Sequence, residues 1–245
     1  MTSPSVDIVI PVLNEENALP GSIACLHGFL SMNLIGPWRI VIADNGSTDT
    51  TPQVSNTLAE QYSEVSYLRI EQRGRGRALR KAWLESNADI VTYIDVDLST
   101  DLQAFPLLLQ AMQEGHDIAI GSRLTNGATV RLRSLKREFI SRSYNLLIKL
   151  MFATHFRDAQ CGFKAVKKTA ALALIPHIMD QGWFFDSELL IVAEKRGFKI
   201  KEVPVTWNDD PDTRVKVVGT AWGDFKGLLR LRFGGLPNVP PPDSP

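Results

Sequence analysis

The chain has no net charge: 27 Lys and Arg stand against 27 Asp and Glu. A neutral protein has no general attraction for a phosphate backbone, which excludes nucleic-acid binding as the global reading. Cysteine is scarce as well. Cys25 and Cys161 are the whole complement, so no disulfide framework is possible and a reducing compartment is expected. The N-terminus, Met1 to Asp7, lacks a basic stretch followed by an apolar one, and no secretory leader is expected. Long apolar runs are also missing. The longest, Tyr144 to Ala153, is interrupted by Lys149 and falls short of the roughly 20 residues a spanning helix needs. These absences predict a cytoplasmic protein, soluble or peripheral at the cytoplasmic membrane face. The histidines His27, His116, His155 and His177 show no metal-ligand spacing.

The 245 residues are 44% hydrophobic and 22% charged, an ordinary globular composition that suffices for one large α/β domain. Val6 to Leu13, Trp38 to Ala43, Val65 to Ile70, Asp89 to Ile94 and Asp117 to Gly121 read as strands. Helical stripes lie between them, the first carrying Leu19, Ile23, Leu26 and Leu30. This alternation predicts a doubly wound, mostly parallel sheet flanked by helices, as a single α/β domain over residues 1–217. Later come a short strand after Asp158 to Lys164, helices over Ala170 to Ile178 and Asp186 to Arg196, and a strand over Lys199 to Trp207. An amphipathic helix is expected over residues 218–235, with Trp222, Phe225, Leu228 and Leu229 on one stripe beside basic residues, a pattern suited to a membrane surface. The proline-rich residues 236–245 are expected to be disordered.

One stretch concentrates chemistry. The apolar run Ile90 to Ile94 ends in Asp95-Val96-Asp97, and Ser99 and Thr100 offer an N-cap for a following helix. On an extended backbone the two carboxylates share a face, and as hard oxygen ligands at a strand tip they suit Mg²⁺ or Mn²⁺. Taken alone, such a pair equally fits a solvated capping turn. Other strand ends carry Asn14-Glu15-Glu16, Asp44-Asn45-Gly46 and the Arg/Gly loop around Gly74 and Gly76, where glycine lets backbone approach a ligand closely. Between Arg123 and Lys149, seven basic residues face Glu138 alone.

These stretches have a family likeness. Pro11-Val12-Leu13-Asn14-Glu15-Glu16, Asp44-Asn45-Gly46-Ser47-Thr48-Asp49, Gly74-Arg75-Gly76, Asp95-Val96-Asp97-Leu98-Ser99, Gly121-Ser122-Arg123, the segment from Asp158 to Lys164, Trp183-Phe184-Phe185-Asp186-Ser187-Glu188-Leu189-Leu190 and Glu202-Val203-Pro204-Val205-Thr206-Trp207 together resemble glycosyltransferase family 2. The likeness covers residues 6 to about 216, and it is greatest to the polyprenyl-phosphate hexosyltransferases, that is, dolichyl-phosphate glucosyltransferases and mannose synthases. It implies the Rossmann-like GT-A fold. It also implies an inverting enzyme that moves a hexose from UDP-glucose or GDP-mannose to polyprenyl phosphate, giving a β-linked lipid-phosphate sugar.

Residue roles follow from the same likeness. Pro11, Asn14, Glu15, Asp44, Gly76, Asp95, Val96 and Asp97 would bind the nucleotide sugar. Asp95 and Asp97 would hold the Mg²⁺ or Mn²⁺. Arg123, Arg137 and Ser141 would complete the catalytic set by holding the acceptor phosphate, with Arg214 and Lys216 closing over it. That late loop reads Asp212-Thr213-Arg214-Val215-Lys216-Val217, where relatives often show a Gly-Ser-Lys segment. The transmembrane helices some relatives carry after this domain are missing, which implies a membrane surface or a membrane-protein partner. Two alternatives stay open. One is a family-2 enzyme with a polysaccharide or other hydroxyl acceptor, which needs a carboxylate base such as Asp186 or Glu188. The other is a non-catalytic nucleotide-sugar-binding module.

Overall fold

The computed structural model describes residues 3–131, 134–208 and 217–242. The elements run β1 (Val6–Val12), α1 (Leu19–Asn33), β2 (Trp38–Asn45), α2 (Thr51–Gln61), β3 (Val65–Ile70), α3 (Arg75–Glu85), β4 (Ile90–Ile94), α4 (Phe105–Gln113), β5 (Ile118–Ser122), β6 (Thr129–Arg131), α5 (Leu135–Phe152), β7 (Phe163–Lys167), α6 (Lys168–Leu174), α7 (Phe185–Lys195), β8 (Ile200–Pro204), β9 (Thr206–Asn208) and α8 (Val217–Gly234). One sheet has the order β3-β2-β1-β4-β7-β5-β8. Its pairings are parallel except those of β7, which lies antiparallel between β4 and β5.

Alternating side chains divide the core into two layers. Ile8, Ile10, Ile40 and Ile42 pack with Leu26 of α1 and Leu108 of α4. Val9, Val41, Val91 and Tyr93 face the other way, onto Trp83 of α3, Leu190 of α7 and Leu228 of α8. A period of two in buried strands produces this division. The strand order reverses between β1 and β4, and in open α/β sheets ligands bind beyond the strand ends at such a point. Pro11 belongs to this opening. The β1–β4 ladder ends at Val9 and Tyr93, so Pro11, paired only with Ala43 of β2, needs no N–H on its other side.

The second half departs from expectation in three places. The strand expected over Lys199 to Trp207 is two strands. Pro204 offers no N–H to continue β8, and the chain passes to β9, which pairs with β6 in a separate two-stranded sheet. The cap expected at Ser99 or Thr100 is supplied by Asp101, whose side chain accepts from Gln103 N–H at 3.0 Å at the start of a short 3-10 turn leading into α4. The tail expected to be disordered is docked through its described part: Arg196 donates to the Leu236 and Pro237 carbonyls at 2.9 and 2.8 Å, and Val239 is buried.

Helix α8 turns one face inward. Asp224, Gly227, Leu228 and Leu231 are buried, at the spacing of one helical stripe. A Cβ on Gly227 would fall 2.3 Å from the Phe184 ring, so glycine here is a packing requirement. The expected apolar stripe is therefore split: Leu228 is buried, while Trp222 and Phe225 open outward with ring centroids 5.9 Å apart.

Asp224 makes this docking sensitive to pH. Its Oδ2 accepts from Gln160 Nε2 at 2.9 Å, but burial, with Asp180 and Asp186 nearby, pushes its carboxyl up to about 7. The folded chain thus holds a proton that the unfolded chain releases near pH 4. Asp224 therefore lowers stability as pH rises from about 4 to 7, and the loss is complete above that range. Asp224→Asn is expected to melt with wild type at pH 4 and several degrees above it at pH 8. Thermal melts across that range test the sign, and a gap that fails to open with pH would refute it.

Candidate active site

The ends of β1, β2 and β4 and the start of α3 are joined by hydrogen bonds into one surface. Asn14, in the left-handed region at φ 57°, donates its N–H to Ser47 Oγ at 2.9 Å and accepts from Thr48 N–H at 2.8 Å. The Glu15 N–H donates to Thr51 Oγ1 at 2.8 Å. Asn45 Nδ2 donates to the Val12 carbonyl at 2.7 Å, and its Oδ1 accepts from Gly74 N–H at 3.3 Å. Asp44 lies beneath this surface, fully buried. Its Oδ1 accepts from Ser47 N–H at 2.8 Å, and its Oδ2 from Arg69 Nη1 at 2.8 Å and Tyr67 OH at 3.0 Å. Both Asp44 oxygens thus build the loop that a ligand would meet.

The Asp95 to Asp97 stretch is a turn, not extended strand. β4 ends at Ile94, the Leu98 N–H donates to the Asp95 carbonyl at 3.1 Å, and Leu98 takes φ 48°. The carboxylates therefore differ in setting. Asp97 is exposed, with Oδ1 accepting from Ser99 N–H at 3.0 Å. Asp95 is half-buried and pairs with Arg75. Burial pushes its carboxyl up to about 6; Arg75 opposes the rise, and Asp97 and Asp186 add to it. A Cβ on Gly162 would fall 1.7 Å from Asp95 Oδ2, so only glycine leaves the carboxylate its place. Val96 is half-buried, and its carbonyl accepts from Ser22 Oγ at 2.5 Å. Two carboxylates of one turn, one cradled and one open, fit a hard divalent cation that keeps other oxygen ligands.

Arg75 is the site residue that sequence reasoning passed over. Its guanidinium is nearly enclosed, paired with Asp95, 3.8 Å from Asp186 Oδ2, and set over the rings of Tyr93 and Trp183. Behind it Asp186 contacts Tyr93 OH and Lys164 Nζ, the latter at 3.1 Å, and Lys164 is fully buried. Gly76, expected from the sequence to admit a ligand, makes its close approach internally, because a Cβ on it would fall 2.6 Å from Phe185 Cβ.

The expected acceptor residues divide. Arg123 is largely enclosed and committed: Nε and Nη2 reach Asp158 at 2.7 and 2.8 Å, and the guanidinium lies 4.8 Å from the Trp207 ring centroid. Burial pulls the Asp158 carboxyl up, but Arg123 outweighs it and holds it below the usual range. Arg137 is half-buried in the first turn of α5. Ser141, one turn on, is 6% exposed, and its Oγ has no hydrogen-bond partner among the described residues. Arg214 and Lys216 lie outside the described residues. Of the two bases considered for a hydroxyl acceptor, Asp186 is enclosed as above. Glu188 is 1% exposed and held by Arg230, at 3.1 and 2.8 Å, and by the Met179 and Asp180 N–H groups. Cys161 is buried, and burial pushes its thiol up to about 12, so it is a packed thiol.

The sequence model of the family described as "Glycosyl transferase family 2" matches residues 7–174. Glycosyltransferase AglD of Haloferax volcanii is 34% identical over 231 residues, 92% of this chain but only 36% of that one. The dolichyl-phosphate beta-glucosyltransferases of Drosophila melanogaster and Saccharomyces cerevisiae are 30% and 28% identical. They cover 84% and 94% of this chain, which spans 68% and 75% of them. Among solved structures, glucosyl-3-phosphoglycerate synthase from Mycobacterium tuberculosis, in complex with Mn²⁺, UDP and phosphoglyceric acid, aligns with TM-score 0.72. It is 19% identical and covers 98% of this chain and 80% of its own. Its complex with Mg²⁺ and UDP aligns at 0.70. The folds are the same: a mixed α/β domain of the GT-A type.

Proposed function

Since the chain belongs to glycosyl transferase family 2, we propose that it transfers glucose from UDP-glucose to a polyprenyl phosphate with inversion, giving a β-linked lipid-phosphate sugar. The names of the dolichyl-phosphate relatives support this donor and acceptor. The observation that carries the acceptor class is the commitment of both candidate bases to cations of the protein, Asp186 to Lys164 and Arg75 and Glu188 to Arg230. A hydroxyl acceptor needs a base to remove its proton. A phosphate monoester is already anionic at neutral pH and needs none.

On this reading the crevice brings together two anions that repel each other. Asn14, Glu15 and the surface over Asp44 receive the nucleoside. Asp95 and Asp97 hold Mg²⁺ or Mn²⁺, which when bound neutralises the donor diphosphate and stabilises the departing nucleotide. Arg75 keeps Asp95 in place from the protein side. Arg137 contributes charge for the acceptor phosphate, and the Ser141 hydroxyl, unpartnered among the described residues, supplies a donor whose burial otherwise costs about 1–3 kcal/mol. Incubation with Mn²⁺ and labelled UDP-glucose or GDP-mannose, with and without polyprenyl phosphate, tests the proposal. Lipid-soluble label is expected from UDP-glucose only when the lipid phosphate is present. Transfer to a soluble hydroxyl acceptor instead would overturn the reading.

A lipid acceptor also requires the protein to reach a bilayer. No helix among the described residues is long and apolar enough to cross one. Two adjacent helices carry apolar side chains outward: Phe139, Leu146 and Leu150 on one stripe of α5, and Trp222, Phe225 and Phe233 on α8. Lys136, Arg142, Lys226 and Arg232 are exposed among them, a pattern suited to an anionic headgroup region. Co-sedimentation with phosphatidylglycerol-containing vesicles is expected for wild type and should fall several-fold for Trp222→Ser/Phe225→Ser at unchanged melting temperature. Equal binding by both proteins would count against this surface.

A further inference from the structure

The segment from Asp158 to Gly162 touches both the candidate site and the outward-facing helices. At one end Asp158 holds Arg123. At the other the Gly162 carbonyl accepts from Asp95 N–H at 3.2 Å, and its Cα leaves no room for a Cβ beside the Asp95 carboxylate. The residues between are held by the two helices that carry apolar side chains outward. Asn145 Oδ1 of α5 accepts from Ala159 N–H at 2.9 Å. Asp224 Oδ2 of α8 accepts from Gln160 Nε2 at 2.9 Å. Beneath them Lys164 Nζ donates to the Ala159 and Cys161 carbonyls at 3.1 and 2.6 Å. A segment pinned this closely passes a shift at one residue to the next.

The two helices hold it unequally. Asn145 lies in the middle of α5, and its Nδ2 also donates to the Ser141 carbonyl at 2.9 Å. Asp224 is the first inward side chain of α8 among those described, since Ala221, Trp222 and Gly223 before it are exposed. Gly227 and Leu228 follow one turn later. A Cβ on Gly223 would meet nothing within 4 Å, so packing does not require glycine there as it does at Gly227. Its effect is to weaken the helix, because glycine is among the poorest helix formers. Among the described side chains, the first turns of α8 are thus held to the body by one hydrogen bond. A bilayer favours the formed helix, which turns Trp222 and Phe225 outward together while Asp224 points inward.

We propose that Gln160 is a positioning residue through which α8 sets the Asp95 turn, so that seating α8 on an anionic bilayer tightens binding of the metal and nucleotide. Gln160 acts through Gly162 and touches neither ligand. This rests on the membrane-surface and donor readings given above, and its failure can be told apart from theirs.

The experiment measures UDP affinity of the full chain at a fixed free Mg²⁺ concentration by calorimetry, with and without phosphatidylglycerol-containing vesicles. Wild type is expected to bind UDP about five-fold more tightly on vesicles, the small end of the range for coupled sites. By reciprocity, Mg²⁺ and UDP together should tighten vesicle binding by the same factor. Gln160→Met keeps the side-chain length without a donor. It should bind vesicles as wild type does, with its UDP affinity staying at the solution value. Asp224→Asn keeps an oxygen for Gln160 and should keep the shift. Gly223→Ala, on the exposed side of α8, should slow hydrogen exchange over residues 221–228 about five-fold in solution. It should also bring the UDP affinity in solution close to the vesicle value. A wild-type affinity that vesicles leave unchanged, or a shift that survives in Gln160→Met, overturns the coupling while both earlier readings stand. Wild type that fails to bind vesicles overturns the surface reading with it, and wild type that fails to bind UDP overturns the donor reading with it. If Gln160→Met does not fold, Gly223→Ala decides: slowed exchange with unchanged UDP affinity overturns the coupling.

Discussion

Asp97→Asn is expected to lower transfer by at least about a thousand-fold while the melting temperature stays near that of wild type. Stabilising charge on a leaving diphosphate is commonly worth several kcal/mol, and about 4 kcal/mol corresponds to that factor. The substitution is structurally mild because Asp97 is exposed. The asparagine Oδ1 still accepts from Ser99 N–H, the hydrogen bond Asp97 makes. Asp95→Asn is a poorer probe, since it strips Arg75 of a partner inside a nearly enclosed site. Activity in EDTA and Mn²⁺ titration in the presence of UDP check the prediction. Full-rate transfer by Asp97→Asn, or by wild type in EDTA, would remove the metal from the proposed mechanism.

The parallel half of the fold was legible because its side chains repeat with period two against helices of period 3.6. Ile8, Val9 and Ile10 announce two buried faces, and Asp44 and Asp95 mark the turns that follow β2 and β4. The antiparallel β7 was not legible, since Phe163–Lys167 has the same apolar look whichever way it runs. The division of β8 from β9 had one visible cue, Pro204. The candidate site was read as strand tips, which put Asn14, Asp95 and Asp97 at one edge of the sheet. Side-chain partners far apart in sequence have no local pattern. The pairing of Arg123 with Asp158 and the sandwich of Arg75 between Tyr93 and Trp183 therefore could not be seen. The glycines around Arg75 were a usable cue read in the wrong direction. They mark backbone held against Gln181 and Phe185, and hence a side chain between them held at a fixed point.

Arg123→Ala is expected to cost about 3–5 kcal/mol in stability, because it leaves the Asp158 carboxylate buried without its counter-ion. For a chain of this length that corresponds to a fall in Tm of roughly 10 °C. Such a loss would mimic an acceptor defect in any activity assay, so stability and transfer must be measured together. Arg137→Ala provides the contrast. It is half-buried on the first turn of α5, so its loss should lower Tm less than that of the enclosed Arg123 while weakening polyprenyl phosphate about ten-fold or more. The double variant Arg123→Met/Asp158→Asn separates the two roles of Arg123. Removing both charges abolishes the uncompensated carboxylate. The introduced amide oxygen can still accept from one of the two backbone N–H groups, at positions 123 and 160, that Asp158 now serves. Tm should then recover most of the loss. If transfer recovers with it, Arg123 is a structural partner of Asp158 and the acceptor phosphate is held by α5. If stability returns and transfer does not, the N–H groups that Arg123 does not give to Asp158 reach the lipid phosphate.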